Sequence, residues 1–147
     1  MGLIDDLEDG PVAVDTAPFI YFVEADARYS PVVESLFQLA AHGTCHLVTS
    51  ALTLMELLVV PYRAGNQQLA GQYEWLLTRS RGLQMVDVSR DVLRAAAQLR
   101  AITGARIPDA IQLAAALTSG CRTFVTNDRR LPAIPGLKLI QLSDYVT

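Results

Sequence analysis

Five short apolar segments punctuate this chain, and what lies between them decides its fold class. They are PVAVDT (11–16), CHLVTS (45–50), LQMVDV (83–88), CRTFVTN (121–127) and LKLIQL (137–142). Each is too short to be a helix and is rich in residues that suit a pleated, buried surface. The stretches between the first four instead repeat apolar residues at helical spacing. Strands alternating with helices imply an α/β protein, a three-layer α/β/α sandwich with a mostly parallel central sheet. In open sheets of that kind, ligands bind beyond the carboxyl ends of the strands.

Local signals place the helices. APFIYFVEAD follows the first strand. Ser30 as a cap and Pro31 at the first helical position announce a second helix, with Val33, Leu36, Phe37 and Ala40 on one face. Ser50 can cap a helix over 51–60, which Pro61 and Gly65 end. Asn66 opens the next, with Leu69, Tyr73, Leu76 and Leu77 inward. Ser89 caps another, whose buried stripe is Val92, Ala95, Ala96, Leu99 and Ile102, and Gly104 closes it. Pro108 opens the last, DAIQLAAALTS, and Gly120 ends it. The N-terminal DDLED reads as a solvated turn or short helix.

The chain of 147 residues, 51% hydrophobic and 18% charged, is expected to form one domain over 1–147 with a single sizeable core. No apolar run reaches the ~20 residues of a spanning helix, and no basic segment leads into an apolar one at the start. A cytoplasmic protein without a membrane partner is therefore expected. Cys45 and Cys121, with no CxxC spacing, suggest small core residues and no disulfide framework or zinc site. The net charge of −3 gives no global attraction for nucleic acid but permits a local basic patch.

Four acids stand in apolar company. Asp15 closes the first strand, and Asp128 follows the apolar TFV and the pair Thr126-Asn127. Taken singly, either reads as a turn or cap aspartate. Glu56 is the only charge in a helix otherwise apolar all round, and no charged residue occurs from Ser35 to Met55. Asp109 precedes a charge-free run from Ala110 to Cys121, although an aspartate in a first helical turn can simply complement the helix dipole. A buried carboxylate takes up a proton or finds a partner, because desolvation costs it several kcal/mol. An arginine such as Arg106 could serve one of the four. A shared hard divalent cation, Mg²⁺ or Mn²⁺, would serve all of them, and phosphodiester hydrolysis is the chemistry such a cluster supports well.

These residues resemble the PIN-domain family, and in particular the VapC-like toxins of bacterial toxin–antitoxin pairs. VAVDTAPFIYFVE is similar to the family's opening strand and turn, and TSALTLMELL to its helix with a single glutamate. IPDAIQLAAAL is similar to its DAxxxAxA helix, and TFVTNDRRL to its TxD strand end. The resemblance runs from about Pro11 to Val146 in motif order. It implies a metal site of Asp15, Glu56, Asp109 and Asp128, with Asp15 central and Asp128 binding directly or through water. Thr126 would steady ligands or water, and Thr16 would act similarly. The chain departs from the family at Ala17, where a small polar residue is usual.

The resemblance further implies an endoribonuclease that cleaves RNA, a cognate antitoxin that restrains it, and a homodimer. Arg106, Arg129 and Arg130 flank the acids and are the candidate RNA contacts. Phe19, Tyr21, Phe22, Leu36, Leu57 and Tyr62 supply large apolar groups for an antitoxin groove or for the core. Three alternatives stand beside this reading: a stand-alone RNA-processing nuclease of the same family, a non-catalytic binding module of the fold, and a receiver-like phospho-acceptor. The last needs a lysine after a late strand, and Lys138 is the only lysine present.

Overall fold

Parallel pairing of five strands builds the middle layer of this computed structural model, which describes residues 2–147. The strands are β1 (Val12–Val14), β2 (Leu47–Ser50), β3 (Leu83–Val86), β4 (Thr123–Thr126) and β5 (Lys138–Gln141). Their order across the sheet is β3-β2-β1-β4-β5, and every pairing is parallel. The chain therefore winds outward from β1 to β3, then returns to the other side of β1 to lay down β4 and β5. The switch in direction falls between β1 and β4.

Six helices cover the sheet: α1 (Thr16–Val23), α2 (Ser30–Ala41), α3 (Leu52–Arg63), α4 (Gln67–Arg79), α5 (Arg90–Thr103) and α6 (Ile107–Thr118). Side chains alternate across a strand, and the two faces collect different cores. Val12, Val14, Leu47, Val125 and Ile140 pack with Phe19, Val33, Leu36, Leu57, Tyr73 and Leu77 of α1 to α4. Ala13, Val48 and Phe124 face the other way, onto Leu113 and Ala116 of α6. Helix α5 lies against α6 through Val92, Ala96, Ala110 and Ala114. The alanine-rich face of α6 keeps this second layer thin and brings its backbone close to the sheet.

Several local expectations change. Ser30 is the first residue of α2 and not its cap; Tyr29 holds that position, and Asp26 Oδ1 accepts the N–H groups of Arg28 and Tyr29. Helix α3 continues through Pro61 to Arg63, because a proline so near the end forfeits only one helical bond and its ring is buried. Ile102 is not part of the α5 stripe: it is 84% exposed, since no element covers the last turn before Gly104 reverses the chain. Phe19, Leu36 and Leu57 belong to the core, which leaves them unavailable to a partner. Cys121 is buried and Cys45 half-buried, both as free thiols.

The N-terminal segment docks at the amino ends of β4 and β5, meeting Thr123 and Lys138, the first residues of those strands. A 3-10 turn over Leu3–Asp6 buries Leu3 against the first core, and Tyr145 O–H donates to the Asp6 carboxylate. Thr123 Oγ1 accepts the Glu8 N–H at 2.9 Å. Among the described residues no helix is long and apolar enough to cross a membrane.

Gly82 is fixed by the fold. It has φ +79°, and a Cβ added there would fall 2.3 Å from the Ala40 carbonyl oxygen. Gly82→Ala should therefore destabilise the protein by about 3 kcal/mol. Gly65, with φ +65° and no atom within 4 Å of an added Cβ, should lose only about 1 kcal/mol on the same change. Urea unfolding of the two variants checks the difference, and equal costs would refute the backbone clash.

Candidate active site

In-register pairing of β1 with β4 sets Val14 beside Val125, so the residues that follow them are neighbours too. Asp15 N–H donates to the Val125 carbonyl at 2.9 Å, extending the ladder by one residue. The Asp15 side chain then caps α1: its Oδ1 accepts the Thr16 N–H at 2.8 Å. Its Oδ2 accepts the hydroxyl hydrogen of Thr126 at 2.7 Å. That hydroxyl also accepts the Asp128 N–H at 3.0 Å, so Thr126 couples the two aspartates at the switch between the strands. This is the crevice that an open α/β sheet offers to a ligand.

Glu56 and Asp109 arrive from the two helical layers. Helix α3 starts from the carboxyl end of β2, and its Glu56 Oε1 accepts the Thr16 hydroxyl at 2.8 Å. Asp109 stands in the first turn of α6, where its Oδ2 accepts from Arg106 Nε at 3.1 Å. Both acids lie close enough to Asp15 to raise its carboxyl by repulsion. Burial is the larger push upward, while the Thr126 and Thr16 hydrogen bonds pull the other way, and the Asp15 carboxyl ends above the usual carboxylate range.

Asp128 has the opposite environment. Arg130 forks onto it, with Nε 3.0 Å from Oδ1 and Nη2 3.3 Å from Oδ2, and the Arg130 N–H adds a 2.9 Å bond to Oδ1. These contacts hold its carboxyl below the usual range, and Arg106, 3.9 Å away, adds to the effect. Arg129 turns elsewhere, donating to Ser143 Oγ and the Asp144 carboxylate. Arg106 and Arg130 thus stand at the acids, and Arg129 braces the C-terminal turn.

The donor set consists of carboxylate and hydroxyl oxygens, which suits a hard divalent cation. Three carboxylates share one negative field with no positive charge buried among them. Among the described residues, however, no three such side chains converge tightly enough as oriented to enclose an ion. Asp109 and Asp128 are turned toward Arg106 and Arg130, which take up the role of counter-charge.

One residue at this site was not legible as functional. Gln112 is 4% exposed and its amide nitrogen lies 3.0 Å from Glu56 Oε1. A signal existed, since Gln112 is the only polar residue from Ala110 to Leu117 and follows Asp109 by one helical turn. Its meaning depends on α3 crossing close to α6, which no sequence pattern states. Ala17, after the Asp15–Thr16 pair, is half-buried and leaves every carboxylate contact described above in place.

Folding raises the Asp15 pKa, so the native state holds this proton more tightly than the unfolded chain does. The group therefore costs stability above its folded pKa, and the cost fades as pH falls toward the ordinary value of 3.8. Asp15→Asn keeps an acceptor for Thr16 and removes the charge. The metal-free variant should melt above wild type at pH 7, by about 2–4 °C for each kcal/mol regained. The gap should close near pH 4, and calorimetry showing no gap at pH 7 would refute the electrostatic account.

Solved structures share this fold. A DNA-bound VapBC from Salmonella typhimurium superposes with a TM-score of 0.72 at 20% identity, over 90% of this chain and 98% of that one. VapBC2 from Rickettsia felis, bound to a promoter DNA fragment, gives 0.71 at 20% identity, with 90% and 98% covered. VapC20 from Mycobacterium tuberculosis, a toxin that cleaves the sarcin-ricin loop, gives 0.66 at 16% identity, with 82% and 92% covered. No curated protein sequence matches the chain significantly. The profile of the PIN domain matches residues 12–137, from the first strand through the approach to the last, and the chain belongs to the PIN-domain family.

Proposed function

We propose that this protein is a metal-dependent endoribonuclease, the toxin of a toxin–antitoxin pair. The observation that carries the reading is the repulsion of Asp15 by Glu56 and Asp109, three acids from three elements gathered at the sheet's switch point. A structure that gains nothing from like charges in a half-buried crevice is expected to use them on a cation. The structural likeness to VapBC assemblies supports the same class.

Asp15, Glu56, Asp109 and Asp128 would hold Mg²⁺ or Mn²⁺, whose chemistry when bound is to acidify a water and to stabilise charge on the phosphate. The protein's own part is to hold these acids in place and aimed. Thr126 and the Thr16 N–H fix Asp15, and Thr16 Oγ1 fixes Glu56. Arg106 and Arg130, at the rim, would exchange a carboxylate partner for the RNA backbone, since a guanidinium fork fits phosphate as well as carboxylate. Arg129 would contribute only from further out.

For the partner, the exposed apolar side chains matter more than the large ones. Met55, Val59, Val60 and Tyr62 of α3 and Trp75 of α4 remain exposed, Val60 at 66%. A groove of about 570 Å³ opens at Trp75, with Phe22, Val23, Gln68, Gln72 and Leu76 among its lining residues. An amphipathic antitoxin segment would cover this surface, and a homodimer is expected to bury another part of the chain.

Purified protein freed of any antitoxin should cut RNA with Mn²⁺ or Mg²⁺, stop with EDTA, and lose at least 100-fold in rate on Asp15→Asn (about 3 kcal/mol). Cleavage that persists in EDTA or in the variant would sink the mechanism. Trp75→Ala should weaken binding of the cognate antitoxin by tenfold or more (about 1.4 kcal/mol). Unchanged affinity by titration calorimetry would move the interface elsewhere.

A further inference from the structure

A buried hydrogen-bond chain joins the first strand to Glu56, and Gln112 closes it. Gln112 Nε2 lies 2.9 Å from Thr53 Oγ1, 3.0 Å from Glu56 Oε1 and 3.3 Å from Thr16 Oγ1. An amide nitrogen carries two hydrogens and accepts nothing, so the two shorter contacts take both. The reversed amide would set its carbonyl oxygen against the Glu56 carboxylate, which fixes the orientation.

The rest of the chain then has a single direction. Thr53 accepts from Gln112 and passes its own hydrogen to Thr49 Oγ1 at 2.8 Å. Thr49 donates to the Val14 carbonyl at 2.9 Å, and a carbonyl can only accept. Thr49, Thr53 and Gln112 are all buried, so no water competes for these hydrogens. At the other end, Glu56 Oε1 receives two donors, Thr16 O–H and Gln112 N–H, while Oε2 receives none from this network.

We infer that Gln112 is a positioning residue for metal binding: it pins Glu56 Oε1 to the protein, so that Oε2 is the oxygen offered to the cation. This rests on the proposed metal site. Val14, the far anchor, immediately precedes Asp15. The chain therefore ties the side chain of one ligand to the backbone that leads into another, across the gap between the two helical layers. A flexible glutamate on an exposed rotamer could reach the site too, but it would lose rotamer freedom on each binding event.

The test is Mn²⁺ binding by the full chain, followed by calorimetry and by the electron paramagnetic resonance of free Mn²⁺. Gln112→Met removes the donor to Glu56 and should weaken Mn²⁺ binding 10- to 100-fold, the usual effect of losing a group that orients a ligand. Thr53→Val breaks the same buried chain on the other side of Gln112 and should stay within about threefold of wild type, despite a lower melting temperature. If Gln112→Met fails to fold, Gln112→Asn carries the test, because it keeps the amide and withdraws it by one methylene. Wild-type affinity in the Gln112 variant overturns the inference, and so does an equal loss in both variants. Folded wild type that binds no Mn²⁺ overturns the inference together with the metal-site reading, which separates the two failures.

Discussion

The pairing of β1 with β4 is the constraint on which the rest of the structure depends. It is the one place where the winding of the sheet reverses, and its register sets Asp15 beside Thr126. A shift of one residue in that ladder would turn Val14 and Val125 out of the first core and carry Asp15 away from the Thr126 hydroxyl. The hydrophobic pattern of two short strands thus fixes the geometry of a polar site built at their carboxyl ends, where Thr126 closes β4 and Asp15 follows β1.

From that fixed point the site is assembled by helices that begin where strands end. Helix α1 takes Asp15 as its cap, α3 starts after β2 and brings Glu56, and α6 brings Asp109 from the opposite layer. Like charges are driven together because the apolar faces of these helices must pack, and the packing outweighs the repulsion. Two arginines moderate the outer acids, while Asp15 stays desolvated with only neutral donors around it. An acid left in that condition is poised to gain from a cation.

Much of the fold is legible in the sequence. All five strands and all six helices lie where the apolar periods put them, and Asn66 and Ser89 cap their helices as read. Where local preference and structure differ, at Ser30, Pro61 and Ile102, tertiary surroundings decide: an Asp26 turn before α2, a buried ring in α3, and bare solvent over the end of α5. The large apolar residues offered to either a partner or the core divide in the same way, Phe19 into the core and Tyr62 onto the surface.

The sequence by itself determined the fold class and the four acids, because a charge in an apolar run is conspicuous and strand–helix alternation admits few topologies. Only the tertiary structure decided which arginines face the acids, which apolar side chains are left uncovered, and that Gln112 matters at all. Those outcomes depend on contacts between residues far apart in the chain, such as Gln112 with Thr53 and Thr126 with Asp15. A hydrogen bond needs two partners within about 3 Å. Spacing along a chain fixes such distances only within one helix or strand.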